Sequence, residues 1–343
     1  MAETGKYIYG VINSAKPVLL REGERSVYSI PYRDISAVVS DSEIFDYNLM
    51  IKGDLAKLLV EHQKVIEMIM PARTIIPVKL GTLAADEAEV KDILSKGYDL
   101  IEDIMEQITG KTEIDIVSTW GDFSSALKEA GEDEAIKEFK QKLMSSPKGV
   151  TVEDRMKIGI MLKKVIDEKR QKYADKIQNA LKTISRDTRM HEAMDDTMVV
   201  NMACLINNSV QDDFDRKVDE LNTGFGERLN FRCVGPLPPY SFFTLQVKKM
   251  EFKELDWARR KLGLLGDSAT RAQIKKAHQA LAFSSHPDKN PDIPGIEKEF
   301  DDAIRAYKIL TDYCLASEQE GSDSCSFKKE VFRKNAVLVG LKE

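Results

Sequence analysis

The nine residues Gly235-Pro236-Leu237-Pro238-Pro239-Tyr240-Ser241-Phe242-Phe243 decide how the chain is read. Three prolines within four residues fix φ and remove three backbone donors. The segment is therefore expected to be neither a helix nor a paired central strand. Apolar residues flank it, with Phe231 and Val234 before the prolines and Phe242, Phe243, Leu245 and Val247 after them. A stiff, nearly extended bend between apolar runs reads as a fixed corner in a packed core. The other reading is a proline-rich linker that docks nothing, but such linkers rarely carry this many aromatics.

The 343 residues exceed one ordinary core and suffice for two or three domains. Hydrophobic residues at 42% and charged residues at 31% fit a soluble, folded protein. A formal net charge of -6 argues against a general nucleic-acid binder, which shows a basic face; solubility alone accounts for it. No run of about 18 apolar residues predicts a membrane span. Met1 to Lys6 is polar and predicts no export signal. Cys204, Cys233, Cys314 and Cys325 form no CxxC pair, so reduced cytosolic thiols are expected, without zinc.

From the N-terminus, Lys6 to Ile12 is β-branched and aromatic and reads as a strand. Val27 to Ser40 contains a second, with Ile35, Ala37, Val38 and Val39 near its end. Asp54 is expected to cap a helix whose stripe is Leu55, Leu58, Leu59, Ile66, Ile69 and Met70. His62 lies on that stripe and reads as a histidine of the core edge, since a general base needs a positioned partner. Thr74 to Thr82 is a β-like run closed by Gly81. A helix is predicted from about Ala88 to Ile108, on the spacing of Val90, Ile93, Leu94, Gly97, Ile101, Ile104, Met105 and Ile108. Thr112 to Trp120 alternates like a half-buried strand. This order predicts a ferredoxin-like layer, helices on one face of an antiparallel sheet, over residues 1–121.

Residues 122–190 read as helical, split by Pro147 and Gly149, with a capping box at Thr151 and Asp154. Ile158, Leu162, Val165, Tyr173, Ile177, Leu181 and Ile184 give one apolar stripe. The charges on the other faces are a solvated surface or a coiled-coil contact with a partner. Met198 to Ile206 is a strand, Val210 to Leu221 a helix, and Leu229 to Val234 a strand entering the proline corner. Residues 122–250 are thus expected to hold a second, modified ferredoxin-like unit. The fold class is α+β, with two antiparallel-sheet domains, a helical insertion and a small all-α module behind them.

The corner resembles the Gly-Pro-Trp-Pro-Pro-Tyr-Ser-Phe signature of the gas vesicle protein F/L family, with Leu237 in place of Trp. Gly235, Pro236, Pro238, Pro239 and Tyr240 match it. Pro77 to Thr82 resembles that family's Pro-x-Arg-Phe-Gly-Thr stretch, matching Pro77 and Gly81. Lys79 stands for Arg, which removes a planar five-donor fork, and Leu80 stands for Phe. The resemblance covers roughly residues 6–247. It implies two α+β domains and an accessory protein that associates with the small hydrophobic shell protein of gas vesicles (the GvpA type), cytoplasmic before assembly and on the vesicle after it.

Residues 251–320 change character. Leu262-Gly263-Leu264 precedes a helix with Ile274, Ala277, Leu281 and Ala282 on one face, capped by Ser268 or Thr270. His286-Pro287-Asp288 follows, then a second helix with Ile296, Phe300, Ala303, Ala306, Tyr307 and Leu310. About four large side chains at roughly 1.5–3 kcal/mol each would hold so small a unit marginally. This module resembles the J domain of DnaJ-type co-chaperones. The resemblance implies docking on a DnaK-type chaperone through His286, Pro287 and Asp288, with Lys275 and Lys276 as basic contacts. Gln279, His278 and Ser284 depart from the usual Arg, Tyr and Lys, which weakens steering. A module that stimulates the chaperone and a retained fold that does not both stay open. In residues 321–343, Lys328, Lys329, Arg333 and Lys334 precede Ala336 to Val339, either a tail packed on the body or a free partner-binding peptide.

No phosphate loop is found, since Gly224-Phe225-Gly226 lacks the residues that would complete one. No Gly-x-Ser-x-Gly elbow is found either, and the four histidines show no metal spacing. Neither a catalytic residue, a cofactor nor a metal is expected.

Overall fold

β-Branched and aromatic residues build β1 (Thr4–Ile12), which is almost wholly buried. The computed structural model describes residues 4–21, 26–45, 47, 50–145, 150–291, 293–318 and 324–342. Their contacts divide the chain into two units, Met1–Met105 with Thr244–Glu343, and Glu106–Phe243.

In the first unit β1 is followed by β2 (Leu19–Arg21), β3 (Val27–Tyr32) and β4 (Ile35–Glu43). β3 and β4 form a hairpin turned through Arg33 at φ 52°. Then come α1 (Lys52–Ile69), β5 (Ile75–Pro77), β6 (Leu83–Ala84), α2 (Glu87–Lys96) and α3 (Tyr98–Ile108). The sheet order is β2-β3-β4-β1-β5, with β6 also on β1. Four strands before the first helix is not the strand-helix-strand-strand-helix-strand succession expected of a ferredoxin-like layer. Asp54 does not cap α1: Ile51 holds that position without a side-chain bond, and Asp54 pairs with Lys57 in the first turn at 3.1 Å. The helix expected over 88–108 breaks at Gly97. A Cβ there would lie 2.7 Å from a Val339 methyl, so a packing contact from the far end of the chain occupies the glycine's empty side.

The second unit contains β7 (Lys111–Trp120), α4 (Phe123–Ala130), α5 (Glu134–Met144), α6 (Val152–Lys182), β8 (Asp187–Met190), β9 (Met198–Asn207), α7 (Gln211–Phe225) and β10 (Leu229–Leu237). Its sheet runs β10-β7-β9-β8, antiparallel throughout. Here the strand-helix-strand-strand-helix-strand order holds. β7, expected to close the first domain, is instead a central strand of this sheet. Its Ile114 and Ile116 need cover from α6 and α7, and Ile166, Ile177, Leu181, Phe214, Val218 and Phe225 supply it. Thr151 and Asp154 form the expected capping box on α6. Pro147 and Gly149 lie outside the described residues. The short polar β8 has no apolar alternation by which to read it.

The chain from Thr244 onward packs with the first unit, so the boundary expected near residue 250 moves upstream. β11 (Leu245–Lys249) bridges Val78 through Leu245 and pairs with β14 (Val337–Leu341). Between them lie α8 (Phe252–Lys261), β12 (Ser268–Thr270), α9 (Arg271–Ser284), α10 (Ile296–Glu318), β13 (Ser324–Ser326) and α11 (Lys329–Asn335). The basic-apolar tail is therefore packed: Phe327 and Phe332 are buried with Leu255, Ile274, Leu310 and Tyr313. That core is larger than two helices could supply. Thr270 caps α9 in a capping box. Cys314 on α10 and Cys325 on β13 lie 5.2 Å apart at Cα and are disulfide-bonded, contrary to the expectation of reduced thiols.

Candidate functional site

The proline corner is held in the second unit by a carboxylate that the sequence did not single out. Gly235–Pro236 is cis, and Leu237 still pairs with Glu113 on the edge strand β10. Edge position is what tolerates prolines in a strand. Pro238 and Pro239 carbonyls accept from the amides of Tyr240, Phe242 and Phe243, which closes the turn. Glu113 is 1% exposed. Its carboxylate accepts the Ser241 amide at 2.9 Å and the Ser241 hydroxyl at 2.7 Å. Arg189 donates to the Ser241 carbonyl at 2.5 Å and lies over the Phe242 ring at 5.2 Å. Phe242 is buried against Ala203 and Leu205.

Burial pushes the Glu113 carboxyl up to about 7, and the neighbouring Asp115 carboxylate adds to the rise. Burial also raises Asp115. Two residues apart on one strand, both carboxyls lie on the same face of the sheet, where like charges favour sharing one proton. His191 Nε2 lies 3.1 Å from Ser241 Oγ. This is not a nucleophile and its base, because the serine proton is directed at Glu113. The cluster is a fastening for the corner.

In the first unit Pro77 ends β5 and Gly81 turns at φ 82°. The Gly81 amide donates to the Tyr7 hydroxyl at 3.3 Å, and Tyr7 in turn meets His62 Nδ1 at 2.9 Å. His62 is buried at 3% exposure, and burial lowers its pKa to about 4. It sits in the core with its hydrogen bonds met, as its place on the apolar stripe implied.

The His-Pro-Asp loop also belongs to the first unit. His286 Nδ1 accepts the Asp288 amide at 3.2 Å, and its ring meets Phe300 edge-on at 5.3 Å. Asn290 ties the turn to the carbonyls of Ser284 and His286. The Asp288 side chain is 89% exposed, so its carboxylate is presented to solvent. Lys275 and Lys276 are exposed on α9. His278 stacks on Tyr307 at 4.3 Å, taking the place of an aromatic in the helix pair. The structure thus gathers Lys275, Lys276 and the tripeptide into one module and the Gly235–Tyr240 residues into one corner, in different units.

A cleft of roughly 750 Å³ in the second unit is lined by Trp120, Tyr173, Phe225, Glu129, Lys169 and Arg228, among others. The Lys169–Glu129 ion pair at 2.5 Å occupies it, with the lysine over the Trp120 and Tyr173 rings. Among the described residues no cluster of His, Cys, Asp and Glu could hold a metal, and no helix is long and apolar enough to cross a membrane.

The chain matches the family described as "Gas vesicle synthesis protein GvpL/GvpF" over residues 5–244 and the "DnaJ domain" over residues 261–314. It superposes on the crystal structure of gas vesicle protein GvpF from Anabaena sp. with a TM-score of 0.61, covering 70% of this chain and 98% of that one at 23% identity. It is 23% identical over 245 residues to gas vesicle protein F of Dolichospermum flosaquae, 70% of this chain and 97% of the relative. Over 48 residues it is 48% identical to the chaperone protein DnaJ of Herminiimonas arsenicoxydans, 14% of this chain but 13% of that protein. An α+β body of the gas vesicle protein type thus carries a DnaJ domain at its C-terminal side. The chain belongs to the GvpL/GvpF family, with a DnaJ domain appended, and a gas-vesicle-related role follows from that membership.

Proposed function

We propose that this protein is an accessory component of gas vesicle assembly that holds the hydrophobic shell subunit and brings a DnaK-type chaperone to it. The observation that carries the reading is the union of two modules in one chain, a GvpL/GvpF body and a DnaJ domain. A shell subunit with an apolar face aggregates unless covered, and a chaperone recruited beside it would keep it assembly-competent. His286, Pro287 and Asp288 would contact the chaperone, Pro287 by fixing the loop and Asp288 by offering its exposed carboxylate to a basic surface. Lys275 and Lys276 would steer the encounter. The motif residues Pro77, Gly81, Gly235, Pro236, Pro238, Pro239 and Tyr240 would act through the shape of the body. The protein would act without a reaction of its own, in the cytoplasm before assembly and at the vesicle afterwards.

Two measurements test this. Purified full-length protein should capture the shell subunit in a pull-down, and failure removes the first half of the proposal. The same protein should stimulate the ATPase of a DnaK-type chaperone and His286→Gln should not; absence of stimulation by the unmodified protein removes the second half.

A further inference from the structure

Cys314 and Cys325 are each 2% exposed and lie in the core that α8, α9 and α10 share. Their Cα atoms are 5.2 Å apart, within the span that a disulfide bridges. Eleven positions separate them in the chain. Cys204 and Cys233 are free, the first buried and the second exposed.

The bond lies where residues 324–341 return to the helices. On one side is α10, anchored by Ala306, Leu310 and Tyr313 in the core. On the other is β13, only three residues long, paired with β12 from Ser268↔Ser326 to Thr270↔Ser324. A lone pair of strands is marginal in water. The Phe327 amide adds a bond to the Asp267 carbonyl at 2.8 Å, and the Tyr313 hydroxyl one to the Ser326 carbonyl at 2.7 Å. Past β13, Phe327 and Phe332 enter the same core and β14 pairs with β11. β12 in turn ends on Thr270, whose hydroxyl accepts the Gln273 amide at 3.2 Å and caps α9. The covalent link therefore reaches, through one short ladder, the start of the helix that carries Lys275 and Lys276.

We propose that Cys314 and Cys325 form a thiol–disulfide latch: a low-molecular-weight disulfide closes it and fixes residues 324–341 on the DnaJ domain, and a low-molecular-weight thiol opens it and lets that segment detach. On closing, one cysteine thiolate attacks the small disulfide and expels a thiolate, and the second cysteine then displaces the other half from the mixed disulfide. One S–S bond forms as one breaks. Two electrons pass from the cysteine sulfurs to the small disulfide, and the two thiol protons go to its products. Opening is the reverse. A cytoplasmic thiol pool reduces the disulfides it can reach, and here both cysteines are buried until β13 lifts. Detachment and reduction are thus linked: lifting β13 admits the thiol, and the closed bond disfavours lifting. A closed loop of this size lowers the detached population on the order of a hundredfold.

The test uses the full-length chain with Cys233→Ser, which removes the exposed free thiol. The protein is equilibrated with mixtures of reduced and oxidised glutathione, then read by mass spectrometry and amide exchange. Oxidised glutathione should yield protein lighter by two hydrogens, with Cys314 and Cys325 in one cross-linked peptide. The Phe327 amide should exchange about a hundredfold more slowly in that form than in the reduced one, and the Gln273 amide should slow with it. Cys314→Ser should exchange at the reduced rate in every mixture. Failure to form the internal bond overturns the proposal, as does a glutathione adduct in its place. So does a difference of less than about threefold between the two forms at Phe327, because the segment would then stay docked without the bond. The oxidised and reduced forms of one chain are compared, so this outcome needs no variant at Cys314. No readout involves the chaperone or the shell subunit, so the result is independent of the proposed function.

Discussion

Replacing Glu113 with Gln should make the second unit lose a pH dependence that the intact protein has. The fold holds the Glu113 carboxyl in a site where its pKa rises from 4.5 to about 7, chiefly through burial. The folded state therefore prefers the protonated acid. Its stabilising contribution is fully present below pH 4.5 and is lost as pH rises to about 7, after which stability is flat. At about 1.4 kcal/mol per pH unit, the rise corresponds to on the order of 3 kcal/mol. A Gln side chain has a similar shape, keeps an acceptor for the Ser241 amide and offers an amide donor to Asp115, but it carries no titrating proton.

Trp120 lies on β7 and the other tryptophan, Trp257, lies in the C-terminal module, so a Trp257→Phe background isolates the signal of the second unit. Urea unfolding followed by Trp120 fluorescence between about pH 5 and 8.5 should show a midpoint that falls with pH in the parent protein and a flatter one in the Glu113→Gln variant. At about pH 8 the variant should equal or exceed the parent. Parallel slopes for the two proteins would show that the carboxyl is ionised at neutral pH and that this account of the corner is wrong.

The His62 pKa of about 4 lies below its ordinary 6.5, so its contribution is present above pH 6.5 and lost as pH falls toward 4; an imidazole resonance titrating near 6.5 would contradict the buried, neutral assignment. Gly81→Ala places a Cβ at φ 82° against the Tyr47 ring and should destabilise the first unit by about 2 kcal/mol or more, measured by urea unfolding; no loss would mean the turn relaxes freely. Ending the chain at Ala336 removes the five β14 partners of Leu245 to Lys249 and the Val339 contact with Gly97. Amide exchange along β11 should then accelerate toward that of an unpaired strand, and unchanged protection would mean that β14 does not hold it.

Local chemistry made much of this chain legible. The strand character of Lys6–Ile12 and Met198–Ile206, the capping box at Thr151, the cap expected at Ser268 or Thr270 and found at Thr270, and the stiffness of the triple-proline corner are properties of neighbouring residues. The His-Pro-Asp module was legible for the same reason, since its tripeptide and helical spacing lie within some sixty contiguous residues. Long-range pairing was not. Nothing within Thr112–Trp120 states which sheet it joins, and the partners that decide it are Met198–Asn207 and Leu229–Leu237. Gly97 separates α2 from α3, and Val339, 242 residues away in sequence, fills the space where a Cβ would stand. Cys314 and Cys325 are a pair because β13 returns to α10, which their spacing does not announce. Glu113 looked like one carboxylate among many until Ser241, 128 residues away, supplied two hydrogen bonds. The sequence by itself determined most of the longer elements, because propensity, capping and turn chemistry act over a few residues, and its motifs carried the resemblance to two families. Tertiary structure alone decided which sheet owns β7, where the tail goes and which carboxylate fastens the corner, because burial and pairing depend on residues that meet only after the chain has folded.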